Sequence, residues 1–281
     1  MATLPDQQVL QHVVDVHCHP TDASVISHET LQNLRITICA MATRQSDQLL
    51  VRDLALQYPS KIIPCFGYHP WFSYSIAIRP FSSKEDHYKT LLLGESTDPR
   101  LVESFERLLP HLPEPRLLTE IISELRAHFE AFPNAMLGEV GLDRSFRVPF
   151  DYFASPRELT PFTIPLEHQQ VIVDAQIELA IDLGRNVSFH SVRSQEATVG
   201  LLNRMRDRYG ERWCNISVDM HSCGFSVETW KSIENAHTNV FLSTSIAING
   251  RNPNLRRLIA ACAPDRILVE SDYNNADMAT Q

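Results

Sequence analysis

Short runs of apolar, often β-branched residues recur along the whole chain, at 13–19, 36–43, 61–68, 135–143, 186–192, 213–222, 239–247 and 266–273. Each has the length of one strand. Several, such as RILVESD and NVSFH, lack polar alternation over most of their length, as strands of a parallel sheet covered on both faces do. Most of the starts are spaced by about 25 residues, the combined length of a strand, a loop and a helix. The segments between them carry a helical period. Residues 46–58 set Leu49, Leu50, Asp53, Leu54 and Leu56 in a stripe that stops at Pro59. Residues 166–183 read as an amphipathic helix closed by Gly184.

Strands alternating with helices predict an α/β fold, either a (β/α)8 TIM barrel or a doubly wound sheet. The eight-fold count and the lack of a GxGxxG turn favour the barrel. Two longer intervals predict insertions after strands 3 and 4. The first, roughly 81–114, is rich in Ser, Pro and charge. The second, 144–165, carries Pro149, Pro156, Pro161 and Pro165 and follows a strand end directly, so it is expected to overhang the barrel mouth. No repeat, low-complexity tract or linker divides the chain, and residues 1–281 read as a single domain.

Composition narrows the class. Of the 281 residues, 43% are hydrophobic and 21% charged, which fits a globular chain and not a disordered one. No apolar run reaches the roughly 18 residues of a membrane span, so no membrane partner is expected. Six scattered cysteines without a CxxC pair predict reduced thiols and a cytoplasmic or nuclear location. With 25 Lys+Arg against 34 Asp+Glu, the net charge of −9 argues against nucleic-acid recognition through a broad basic face. Twelve histidines beside only nine glycines call for an explanation.

The strand ends supply one. In Asp15-Val16-His17-Cys18-His19 the alternation of a strand turns His17 and His19 to one face, a spacing suited to chelating a divalent metal or to two buried structural histidines. Glu139, inside the apolar run GEVGLD, is expensive to bury without a cation, whether a metal or an arginine such as Arg144. The fifth and sixth runs carry His190 and His221 at or near their ends, and the eighth reads Glu270-Ser271-Asp272, with the two carboxylates on one face. His69, in GYHP, lies just past the third strand. Metal-competent groups thus fall at the C-terminal ends of strands one, four, five, six and eight, where barrel active sites sit. His12, His28, His87, His111, His128, His168 and His237 fall on helices or loops and read as solvated or locally bonded groups. No nucleophile elbow surrounds Ser191, Ser222 or Ser271, which disfavours a serine hydrolase.

The ordered blocks DVHCH, GYHP, GEVGLD, His190, His221 and LVESD resemble the signature of the TatD-related metal-dependent DNases over essentially the whole chain. The long insertions and the GLDRSFRVPFDYF segment are similar to the fungal branch associated with a subunit of the anaphase-promoting complex. The resemblance implies an amidohydrolase-like barrel of the metallo-dependent hydrolase type that cleaves phosphodiester bonds, often as a 3′-to-5′ exonuclease, with DNA or another phosphodiester as substrate. It implies two divalent ions (Mg, Mn or Zn), one held by His17, His19, Glu139 and Asp272, the other by Glu139, His190 and His221. Glu139 would bridge, Asp272 would also accept the proton of the attacking water, and His69 would steady a phosphate oxygen, with Arg144 and Arg193 as helpers. A barrel acting on amides or lactones would commonly bridge its metals with a lysine where Glu139 stands. The branch also implies an alternative, a weak or inactive barrel serving as a protein partner in cell-cycle machinery. Three departures set expectations. The family's Cys-Phe-Ser-Gly run after the sixth-strand histidine is Ser222-Cys223-Gly224-Phe225 here, so that loop should sit differently. An arginine expected two residues after His190 stands three away as Arg193. The chain stops at Gln281, where relatives continue through a closing helix, so the outer face of the eighth strand is expected to lack cover and the fold to be of marginal stability.

Overall fold

The computed structural model describes residues 5–23 and 26–274. Eight strands form one parallel sheet in chain order: β1 (Val14–Cys18), β2 (Thr37–Met41), β3 (Ile62–Phe66), β4 (Met136–Asp143), β5 (Val187–Val192), β6 (Val218–Met220), β7 (Val240–Thr244) and β8 (Ile267–Val269). All eight predicted runs contain a strand. The run 213–222 is only partly extended, because Trp213, fully buried, belongs to the short helix Glu211–Cys214. The sheet curls into a nearly closed barrel. Past β8 the chain is stitched to β1 by Asp272 N–H to the His17 carbonyl (3.0 Å) and His19 N–H to the Tyr273 carbonyl (2.8 Å). The Asp15 carboxylate adds bonds from the Ser271 N–H (2.9 Å) and hydroxyl (2.6 Å).

Two layers of apolar side chains account for the continuous strand runs. In β2, Ile38 and Ala40 belong to the large core shared with helix residues such as Leu31, Val51 and Leu54. The alternate residues Cys39 and Met41 therefore face the barrel interior, where they cluster with Cys65, Ile63 and Met136. Helix Leu166–Leu183 ends, as its sequence predicts, at Gly184 in the left-handed region (φ 64°). The stripe read for residues 46–58 is corrected. In the helix Gln45–Gln57, Leu49, Leu50 and Leu56 are exposed, and Val51, Leu54 and Ala55 face the core. Two buried polar anchors set that rotation. Asp47 accepts the Thr43 and Arg44 N–H groups, and Gln48 donates to the Gly67 carbonyl at 2.6 Å.

The insertions after β3 and β4 share a second core, which the periodicity did not anticipate. Tyr74, Tyr88, Leu93, Phe105, Leu108 and Leu112 from the first pack against Val148, Phe162 and Ile164 from the second. Arg107 and Glu158 tie their surfaces together at 2.5 Å. The second insertion reaches the mouth, where Tyr152 lines the cavity at the strand ends. The closing helix whose lack the sequence suggests would follow Asn274, outside the described residues. On β8 Val269 is 63% exposed. Among the described residues no helix is long and apolar enough to cross a membrane, and all six cysteines are unpaired, five of them buried.

β4 and β5 approach each other closely at Gly141. A Cβ on Gly141 (φ 153°) would stand 2.0 Å from the His190 carbonyl oxygen, a contact that only backbone movement can relieve. Gly141→Ala is therefore expected to lose about 3 kcal/mol or more of stability, measured by urea unfolding; a loss below about 1 kcal/mol would contradict this packing.

Candidate metal centre

Five strand-end residues and His69 gather around one buried point, the carboxylate of Glu139. Glu139, Gly141 and Asp143 alternate toward one face of β4, with Glu139 inside the register shift between Leu137 and Val140. The two Glu139 oxygens face different partners. Oε2 lies 3.5 Å from His17 Nε2 and 3.3 Å from His19 Nε2. Oε1 lies 2.8 Å from His190 Nδ1, 3.3 Å from His69 Nε2 and 3.5 Å from His221 Nε2. Asp272 completes the ring, with Oδ1 3.5 Å from His19 Nε2 and 3.8 Å from His17 Nε2, and Oδ2 3.8 Å from His221 Nε2. His17 and His19 share a face as read from the strand, their Nε2 atoms 3.0 Å apart. Glu139 meets histidines and not Arg144, which is exposed at the end of β4. Arg193 is likewise exposed, past β5.

Backbone conformation confirms that this end of the barrel is special. Among the described residues, the non-glycine residues with positive φ are Arg193 (50°), Ser222 (42°) and Asp272 (52°), each just past a strand at the mouth. Such conformations cost of order 1 kcal/mol and persist where surrounding contacts fix them. For Asp272 those contacts are the barrel-closing bonds to β1. Although its sequence departs from the expected run, the loop after β6 still presents His221, because the Ser222 N–H and hydroxyl dock on Glu270 at 2.8 and 2.6 Å.

Hydrogen bonds behind the ring decide which nitrogen each imidazole offers. His221 Nδ1 lies 3.1 Å from Glu270 Oε2, leaving Nε2 toward Glu139. His190 Nε2 lies 3.3 Å from Asp143 Oδ2, leaving Nδ1 toward Glu139. His17 Nδ1 bonds the Ser188 hydroxyl at 2.7 Å. Carboxylates behind histidines in this way orient metal ligands and raise their basicity. His69 is built the other way. Its Nδ1 accepts the Trp71 N–H at 3.1 Å, so the neutral ring carries its proton on Nε2 and points an N–H at the centre. His69 is thus set up as a donor and not a ligand.

Asp143, Ser188 and Trp71 were not assigned roles from the sequence. Asp143 also accepts the Trp71 indole N–H at 2.6 Å. The available signal was spacing: Asp143 lies on the Glu139 face of β4, and Ser188 two residues before His190 on β5. For the Glu270 and Asp272 pair the structure separates the roles. Glu270, its side chain fully buried, is occupied by Ser222, Ser243 and His221, and Asp272 faces the open centre.

The charge balance calls for a cation. Burial opposes charge on His19, yet Asp272 and Glu139 overcome it and hold its pKa up at about 10. Burial likewise opposes charge on His221, and Glu270 and Glu139 raise it to about 10. Burial pushes His69 down to about 4, so it is neutral. Despite burial, the surrounding imidazoles hold the Glu139 carboxyl well below its ordinary range. Asp272 is held down too, against burial, by His19, His221 and His17. Protons on His19 and His221 occupy the place of positive charge that divalent ions would supply. Three groups have potential ligand atoms within 4.8 Å of one another: His17, His19 and Asp272; His69, Glu139 and His190; and His17, His221 and Glu270. The first draws on neither the His69 N–H donor nor the Glu270 carboxylate already held by His221. Imidazole and carboxylate donors of this kind fit Zn, Mn or Fe, so the residues present suit a metal.

Three comparisons relate the chain to known proteins. A family model described as TatD related DNase matches residues 14–279. The chain is 31% identical over 306 aligned positions to the Cut9-interacting protein scn1 of Schizosaccharomyces pombe, covering 95% of this chain and 88% of that protein. It is 29% identical over 296 positions to an uncharacterized deoxyribonuclease of Saccharomyces cerevisiae, covering 97% and 87%. Among solved structures, a TatD homologue from Escherichia coli superposes with a TM-score of 0.59 at 19% identity, covering 94% of this chain and 80% of that one. An uncharacterized amidohydrolase from Saccharomyces cerevisiae gives 0.60 at 14%, covering 92% and 75%. These structural matches are likenesses of fold.

Two outcomes follow from the charge balance and the hydrogen bonds behind the ring. A divalent ion must displace the protons of His19 and His221, which are bound below about pH 10, so its affinity should rise with pH between 6 and 9, by about tenfold per unit for each proton displaced. Calorimetry in buffers of different ionisation heat should show proton release; binding that neither releases protons nor strengthens with pH would contradict the balance. Glu270→Gln, which weakens the support behind His221, should lower metal affinity about 10–100-fold, measured by competition with a chromogenic chelator; an unchanged affinity would remove Glu270 from that role.

Proposed function

The chain belongs to the TatD related DNase family, and on that premise we propose that it is a metal-dependent phosphodiesterase, a deoxyribonuclease of the 3′-to-5′ exonuclease type working with two divalent ions. The observation that carries this reading is the division of Glu139, whose Oε2 faces His17 and His19 while Oε1 faces His190 and His221. One carboxylate so shared suits a bridging ligand. His17, His19 and Asp272 would hold one ion, His190 and His221 the other, with Mg, Mn or Zn as candidates. Bound there, the ions would supply Lewis acidity toward water and phosphoryl oxygens.

The chain's own groups divide the remaining tasks. Asp272, ionised at neutral pH and open to the centre, accepts the proton of the attacking water at a carboxylate oxygen. The neutral His69 donates its Nε2–H to a phosphoryl oxygen. Glu270, Asp143 and Ser188 hold His221, His190 and His17 in orientation. Trp71 and Tyr152 line the cavity of about 320 Å³ over this centre and limit water around the phosphate. Because the net charge is −9, attraction for a polyanion would be local, at bound metals and at exposed arginines such as Arg144 and Arg193. Buried, unpaired cysteines support the reading of a reducing compartment, cytoplasm or nucleus.

A second reading draws on the relative named for its interaction with Cut9: the barrel serves as a protein partner in the anaphase-promoting complex, with catalysis dispensable. Glu139→Gln separates the two. Wild-type protein should bind divalent metal at stoichiometric level and shorten single-stranded DNA, and the variant should lose at least about 100-fold in rate. Wild type that binds no metal and cleaves nothing with Mg²⁺, Mn²⁺ or Zn²⁺ would overturn the nuclease reading. Full replacement of wild type by the variant in cells would favour the partner reading.

A further inference from the structure

Beside the metal centre lies a larger cavity, of about 720 Å³, bounded by both insertions and by the start of the helix Gln45–Gln57. Phe72 and Tyr152 line both spaces, so the cavity continues the wall of the proposed active site. Its volume lies in the range of small-ligand pockets, about 300–1,000 Å³.

Its chemistry is specific. The Arg44 guanidinium sits 5.5 Å from the Phe72 ring, 5.8 Å from Tyr152 and 5.5 Å from Phe153. Arg44 is fixed there by Asp22 at 3.1 Å and Asp47 at 3.6 Å, so its charge is offset and its planar face serves the rings. Tyr152 meets Phe153 edge-on, with centroids 5.3 Å apart and planes at 85°, and Arg157 stands 4.1 Å over the Tyr152 ring. Phe153 is held on one side by these contacts and is 75% exposed. A large aromatic ring in that position is an open stacking face.

We infer that this cavity is a nucleobase subsite, which takes a base flanking the scissile phosphodiester and stacks it on Phe153. The occupant follows from continuity with the metal centre: whatever fills the cavity is joined to a phosphodiester held next door. Aromatic rings interleaved with planar guanidinium groups match a flat heteroaromatic base, and stacking of this type is tolerant of sequence. A paired duplex keeps its base faces inside the stack, so the subsite selects unpaired strands. The inference rests on the phosphodiesterase reading and adds to it the part of the substrate that is bound.

The test is equilibrium binding of a fluorescein-labelled pentathymidylate with nuclease-resistant phosphorothioate linkages, in Mg²⁺, to the full chain. Phe153→Ala should weaken binding about 5- to 150-fold, and Phe153→Tyr should retain it. Phe153 is mostly exposed, so both variants are expected to fold, which circular dichroism verifies. The same strand with abasic positions should bind wild type and Phe153→Ala equally. Equal affinity of wild type and Phe153→Ala for the base-bearing strand, wild-type binding indifferent to the bases, or no binding to wild type would each overturn the subsite. Binding through Phe153 without cleavage of an ordinary strand would retain the subsite and remove the nuclease reading. Cleavage with an affinity indifferent to Phe153 would do the reverse.

Discussion

A carboxylate buried in a barrel must be matched by positive charge, and the site of this protein is organised by that requirement at Glu139. Five imidazoles stand within 3.5 Å of its two oxygens, contributed by β1, β5 and the segments just after β1, β3 and β6. Without a metal, the match is made by protons on histidines that burial would otherwise keep neutral. The same requirement explains the acids behind the ring: Glu270 and Asp143 raise the basicity of imidazoles that must either carry a proton or bind a cation.

Mechanical precision at this point comes from the barrel's closure and from close backbone approach. Asp272 occupies a left-handed conformation that an isolated residue would avoid, and the Asp15–Ser271 bonds and the backbone bonds to His17 and His19 hold it there. On the opposite side, Gly141 lets β4 lie against the His190 carbonyl, bringing His190 Nδ1 to 2.8 Å from Glu139. Strand ends are well suited to such a site because their backbone is fixed by ladder bonds while the loops beyond them are free to vary.

The insertions are a second structural unit with its own apolar core, seated over one side of the mouth. They add an aromatic cavity of about 720 Å³ beside the smaller space at the strand ends, with Phe72 and Tyr152 lining both. On the proposed reading, the barrel would supply the reacting centre and the insertions the contacts to the rest of the substrate.

Much of this was legible in the sequence. A strand buried on both faces needs an uninterrupted apolar run, so eight strands could be counted. A period of two fixes which neighbours share a face, so His17 could be paired with His19. Glu270 and Asp272 lie past the end of β8, where that period no longer holds and Asp272 takes a left-handed conformation. A polar residue at the end of such a run stands out because burying it is expensive, and that exposed Glu139, His190 and His221. What the sequence could not decide was set by contacts between distant segments. Side-chain periodicity turned the helix at 45–57 the wrong way, because Asp47 and Gln48 fix its rotation through backbone partners that only the folded chain supplies. The ordering of Glu270 behind His221 and Asp272 in front, the N–H that His69 presents, and the shared core of two insertions are likewise tertiary. Local patterns record what each segment must bury, whereas the pairing of one buried polar group with another depends on where the fold brings their segments together.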